Sequence, residues 1–201
     1  MARKDIEFAV GAVALDAGLA NMRKGIELCT SKKLILSTLV LVYSGMDTLA
    51  SLDRALEHAY VQRDDFQAWV TVYLLPDSGI AASALELYAA RCSLLHTFGP
   101  HSKLADEGKA RSISYAWGNA KVEDLQKEID ERGRKDLVAV HVGQLAESLF
   151  QGIDRWQKAV VASPEKAALI WTRTDELYYP MDAEFFRQYR AAKEASQPGG
   201  A

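Results

Sequence analysis

The feature that most constrains this chain is the run from Leu34 to Met46, Leu-Ile-Leu-Ser-Thr-Leu-Val-Leu-Val-Tyr-Ser-Gly-Met. A helix made from it is apolar nearly all round, and such a helix must lie inside a core. About 20 consecutive apolar residues are needed to cross a bilayer, and this run is shorter. The expectation is therefore a helical protein built around one buried central helix. A chain of 201 residues is long enough for one good core, and 49% apolar with 25% charged residues is an ordinary globular balance.

Helical periodicity extends to both sides of this run. Ile6 to Ser31 reads as an opening helix in which Gly11, Gly18 and Gly25 recur every seven residues. That spacing returns to nearly the same face, so the glycines suggest close helix packing or a break. The central helix is expected to run from Leu34 to about Tyr60, with Leu49, Leu52 and Leu56 on one stripe. Asp64 and Asp65 suit the cap of a helix over Phe66 to Leu75. Pro76-Asp77-Ser78-Gly79 is a turn. Ala81 to Thr97 is a further helix, ended by Gly99-Pro100.

The period then changes. Residues 100–109 are polar and read as a loop. Arg111 to Trp117 alternates in the manner of a half-buried strand, with Ile113, Tyr115 and Trp117 on one side. Leu137 to Val142 is a second strand candidate, and the charged segment Val122 to Arg132 between them reads as an exposed helix. Leu145, Leu149, Ile153 and Trp156 mark a helix over Gly143 to Ala162. Pro164 opens another, to about Leu177. Asp182 caps a last helix to about Ala195. The reading is mainly α: one helical-bundle domain over residues 1–196, with a small two-stranded β-element around 110–142 and a disordered tail at 197–201.

Charge and cysteine content exclude several function classes. The formal net charge is −3 and the sequence pI about 5.8, so any nucleic-acid site must be a local basic patch. Cys29 and Cys92 are too few and too far apart for a disulfide framework or a zinc site, and both read as small buried hydrophobes. The start, Met-Ala-Arg-Lys-Asp, lacks the order of a signal peptide, which points to a cytoplasmic protein without a membrane span. No Gly-rich phosphate loop, nucleophile elbow or paired-carboxylate motif is present, and no cofactor is implied.

One stretch carries chemistry: Tyr88-Ala89-Ala90-Arg91-Cys92-Ser93-Leu94-Leu95-His96-Thr97. Arg91 and His96, separated by four residues near a helix C-terminus, resemble the Arg-x(4–6)-His signature of the HEPN superfamily. Those domains are helical bundles of toxin–antitoxin, abortive-infection and CRISPR-associated RNA-cleaving systems, in which two protomers or domains bring their Arg/His pairs into one cleft. The resemblance covers roughly residues 10–160 and implies a metal-independent endoribonuclease acting as a homodimer, with a possible antitoxin or other protein partner. By resemblance His96 is the acid/base and Arg91 the phosphate clamp. Such chemistry suits these side chains, because an imidazole moves protons at neutral pH and a guanidinium grips two phosphate oxygens. The family often places a polar residue directly after the arginine, where this chain has Cys92. Positions five apart also differ by about 140° around an ideal helix, so the pair converges only if the helix frays or a second protomer completes the site.

Three further features bear on this reading. Asp47 is an acid in an otherwise apolar helix and needs a partner, which Arg91 or His96 could supply. His101, Lys103, Lys109 and Arg111 form a modestly basic segment that could hold an RNA backbone. Arg134 and His141 match the same spacing but cross from a charged turn into a strand, the wrong context. The rival to catalysis is a non-catalytic helical RNA- or protein-binding or dimerisation module.

Overall fold

The computed structural model describes residues 3–174, with side chains from Leu15 onward, together with Glu184, Phe186, Arg187, Arg190 and Ala191. Apart from those five, the expected last helix, its Asp182 cap and the 197–201 tail lie outside the described residues. Among the described residues the protein is mainly helical with one small sheet. The helices are α1 (Arg3–Ser31), α2 (Ile35–Asp53), α3 (Arg63–Trp69), α4 (Ala84–Thr97), α5 (Lys103–Asp106), α6 (Val122–Glu131), α7 (Val142–Ala162) and α8 (Pro164–Thr174). The strands are β1 (Ser112–Ala116) and β2 (Leu137–His141). Two compact units divide the chain, Met1–Asn21 with Val160–Ala201, and Met22–Ala159. In the first, Leu15, Leu19, Val160 and Ile170 are buried. The second holds the candidate site and is described below.

α2 is the centre of that second unit. Its buried positions run from Thr38 to Leu52, with Val42, Tyr43, Met46, Leu49 and Ala50 sealed from solvent. Its first turn is more open than the apolar run suggests, since Leu34 and Leu36 are exposed. The helix is 19 residues long with mean hydropathy 1.5, which by length and composition is enough to cross a bilayer; half of it is buried within the protein.

α2 stops at Asp53 instead of reaching Tyr60. Side chains there take over the backbone groups that a continuing helix would pair, a competition in which short polar chains often win. Asp65 accepts from the Ala55 amide at 3.0 Å and the Gln62 amide at 2.7 Å. Arg54 donates to the carbonyls of Ser51 and His58. Leu56, expected on the buried stripe, is consequently exposed.

The glycines of α1 do not break it, and neither Gly18 nor Gly25 forms a tight contact. α1 is continuous through all three. A Cβ at Gly18 would meet nothing, and one at Gly25 would make ordinary contact with Leu41. The close approaches occur elsewhere. A Cβ at Gly45 of α2 would lie 2.7 Å from the Met22 sulfur, and one at Gly152 of α7 would lie 3.2 Å from the Tyr73 carbonyl oxygen. Tyr73 belongs to a π-helical turn, Val70–Leu74, that continues α3. A π turn misaligns carbonyls, and Arg155 of α7 donates to that of Tyr73.

β1 and β2 pair in parallel, Ser112 opposite Leu137 through Ala116 opposite His141. A parallel pair requires a crossover, and α6 supplies it. Val138, Ala139 and Val140 are all buried, the run expected of a strand covered on both faces. β1 departs from simple alternation: Ile113 and Ala116 are buried while Tyr115 and Trp117 are half-buried. The Tyr115 hydroxyl lies 2.6 Å from that of Tyr43, which joins β1 to α2. On α7, Leu145, Leu149, Ile153 and Trp156 are all sealed. Full burial of side chains of this size is worth about 1.5–3 kcal/mol each.

Candidate functional site

α4 is a well-terminated helix. Ser83 and Glu86 form a capping box, the Ser83 amide donating to Glu86 Oε2 at 2.7 Å and the Glu86 amide to Ser83 Oγ at 3.3 Å. At the far end Phe98 takes a left-handed conformation with φ 51°, and its amide closes on the Leu94 carbonyl. Helical geometry persists through Thr97, so the helix does not fray between Arg91 and His96. The two side chains leave α4 about 140° apart.

Arg91 is held from the neighbouring helix. Its Nε donates to Asp47 Oδ2 at 3.0 Å and its Nη2 donates to the same oxygen. Both side chains are about one-fifth exposed. Burial opposes the charge on Arg91, but the Asp47 carboxylate outweighs it and raises the guanidinium pKa. Nε and Nη2 are engaged by Asp47, and Nη1 donates to Cys92 Sγ at 3.9 Å. His96 is exposed in the last turn, and no hydrogen bond or ion pair holds it among the described residues.

Beside Cys92 lies a cavity of about 370 Å³. α4 contributes Tyr88 and Cys92, one turn apart on the same face. The start of α3 contributes Arg63 and Asp64, and α5 contributes Lys103 with its cap Ser102. Burial raises the Tyr88 phenol above its ordinary range, and the adjacent Cys92 adds to this. The Tyr88 ring also packs edge-on against Phe66 at 5.5 Å. His96 is one further turn along the stripe of Tyr88 and Cys92. Cys92 is thus a half-buried wall residue, not a core hydrophobe; Cys29 is also half-buried, and both are free thiols.

The basic segment is more compensated than its sequence suggests. Arg111 does not face solvent as a free cation: it donates to buried Glu86 at 2.5 and 3.2 Å and to the Ala81 carbonyl. Lys109 lies 2.8 Å from Glu107, which draws that carboxyl below its ordinary range, and Lys103 is 3.8 Å from the same acid. His101 is 3.8 Å from Asp106. Only Lys103 of the four lines the cavity. The second Arg/His match is taken up elsewhere, Arg134 by Asp136 and His141 by the Gly118 carbonyl and Gly143 amide.

The structure also brings together residues that periodicity does not single out. Arg63 and Tyr88 reach the cavity from separate helices. His58 Nδ1 lies 2.8 Å from the buried Asp65 carboxylate, across a segment that reads as helix in the sequence. Burial opposes ionisation of Asp65, but the Ala55 and Gln62 amides and His58 together hold its pKa below the ordinary value. Among the described residues no group of three or more His, Cys, Asp or Glu side chains is placed to hold a metal ion. Comparison of the chain with known protein families, curated proteins and solved structures finds no match.

Proposed function

We propose that this protein is a HEPN-like endoribonuclease that cleaves RNA through the RNA's own 2′-hydroxyl and works as a homodimer in defence or toxin–antitoxin biology. The observation that carries this reading is Arg91. Asp47 fixes its guanidinium and Nη1 donates to Cys92, a wall residue of the neighbouring cavity, on a helix that ends one turn later with exposed His96.

The chemistry follows from those groups. His96 takes the proton from the 2′-hydroxyl, and the 2′-oxygen attacks the adjacent phosphorus. The bond from phosphorus to the 5′-oxygen breaks, and the imidazolium returns a proton to that oxygen. The products are a 2′,3′-cyclic phosphate and a 5′-hydroxyl. Arg91 supports the extra negative charge of the phosphorane. Asp47 positions Arg91 and does not touch substrate. Because Arg91 and His96 diverge on one helix, the working site draws its arginine and histidine from two copies of the chain.

The test is incubation of mixed-sequence RNA with purified protein in EDTA, beside His96→Ala and Arg91→Ala variants whose folding is checked by circular dichroism. Cleavage by wild type to cyclic-phosphate ends, with a loss of about 10²-fold or more in each folded variant, is the expected result. Intact RNA across several substrates, or cleavage that survives both substitutions, overturns it.

A second reading has its own support. The Arg91 charge is matched by Asp47, and the cations of residues 101–111 are largely matched by Glu86, Asp106 and Glu107. That balance suits a helical module that binds RNA or a protein partner without cutting. Binding without cleavage in the same assay would select it.

A further inference from the structure

We infer that the cavity beside Cys92 is a subsite for one unpaired nucleotide of single-stranded RNA, an assignment that rests on the RNA-directed reading above. Its volume, about 370 Å³, lies within the range of small-ligand sites. Its walls hold cations from two different elements, Arg63 at the start of α3 and Lys103 at the start of α5, and both side chains are more than half exposed. A phosphate between them would meet two donors approaching from separate helices. Tyr88 and Asp64 add a phenol and a carboxylate, groups able to meet the hydrogen-bonding edge of a splayed base.

The partners these cations already have are weak. Arg63 is 3.6 Å from exposed Asp64, and Lys103 is 3.8 Å from Glu107. Exposed pairs of this kind contribute at most about 1 kcal/mol, so a phosphate can displace them. Arg111 contrasts with both, since its partner is buried Glu86. The wall residue Cys92 also links the cavity to Arg91, whose Nη1 donates to Cys92 Sγ at 3.9 Å.

Cys92 offers a reporter that does not depend on cleavage. The experiment is alkylation by N-ethylmaleimide, followed at each cysteine by peptide mass spectrometry, with and without a 2′-O-methyl octanucleotide that cannot be cut. The expected result is that the oligonucleotide slows labelling of Cys92 and leaves Cys29 unchanged. The Arg63→Gln/Lys103→Gln double variant should need about tenfold more oligonucleotide for the same protection. Unchanged Cys92 labelling at high oligonucleotide, equal slowing of both cysteines, or full protection in the folded double variant overturns the assignment. Cleavage by wild type without protection of Cys92 removes the subsite and leaves the nuclease. Protection without cleavage keeps the subsite and removes the nuclease.

Discussion

Glu86 meets two structural needs with one carboxylate. It closes the capping box that starts α4, and it anchors Arg111 at the entry to β1. Burial alone would raise its pKa, but Arg111 and the Ser83 donors outweigh burial and hold it below the ordinary carboxylate range. A carboxyl depressed in the folded state stabilises the fold above its unfolded pKa and loses that contribution as pH falls through the folded value. Glu86→Gln is therefore expected to cost about 2 kcal/mol at neutral pH, less than for a fully buried pair because Arg111 is partly exposed. The gap from wild type should narrow below about pH 4. Urea denaturation at neutral and acid pH measures this, and a gap that is constant with pH would show that the carboxylate charge contributes nothing. At this scale sequence reading had uneven reach. An acid inside an apolar helix announces its need for a partner, and Asp47 is against Arg91. Arg111 and Glu86, 25 residues apart, carry no such signal: in the sequence Glu86 reads as a candidate partner for Arg91 on the same helix, and its partner is Arg111.

Among elements, the contact between α7 and the π turn shows a constraint that lies in backbone approach. Gly152 sits where an added Cβ would meet the Tyr73 carbonyl oxygen at 3.2 Å and the Leu74 Cα at 3.4 Å, atoms that cannot rotate away. Gly152→Val should lower stability by about 1–3 kcal/mol through overpacking. A shift of the urea midpoint reads this directly, and a neutral result would mean that α7 can move away at no cost. Helix and strand identities were legible because their periods differ, 3.6 against 2. α4, α6 and α7 stand within a few residues of their expected bounds, α6 from its charged composition. What stayed hidden was set by tertiary contact. The end of α2 depends on Asp65, which captures amides ten and three residues earlier in the chain. The seven-residue glycine repeat in α1 pointed to close packing there, whereas among the described residues Gly18 and Gly25 have room and Gly45 and Gly152, with no periodic partners, are closely approached.

At the scale of the whole molecule, two paired hydroxyls tie the β-element to the central helix across 72 residues of sequence. Tyr43 is sealed, and burial foremost, with Tyr115 beside it, drives its pKa well above the ordinary phenol value. Tyr115→Phe would leave that hydroxyl without a partner, at about 1–3 kcal/mol. Tyr43→Phe with Tyr115→Phe removes both polar groups and should recover much of the loss. A double-mutant cycle in urea measures the coupling, and simple additivity would exclude it. The same pairing bears on how this chain can change over generations. Either hydroxyl lost alone is a step downhill in fitness wherever stability is limiting, while the joint loss is nearly level. Descendants of this sequence should therefore hold two tyrosines or two phenylalanines at these positions, and mixed pairs should be short-lived.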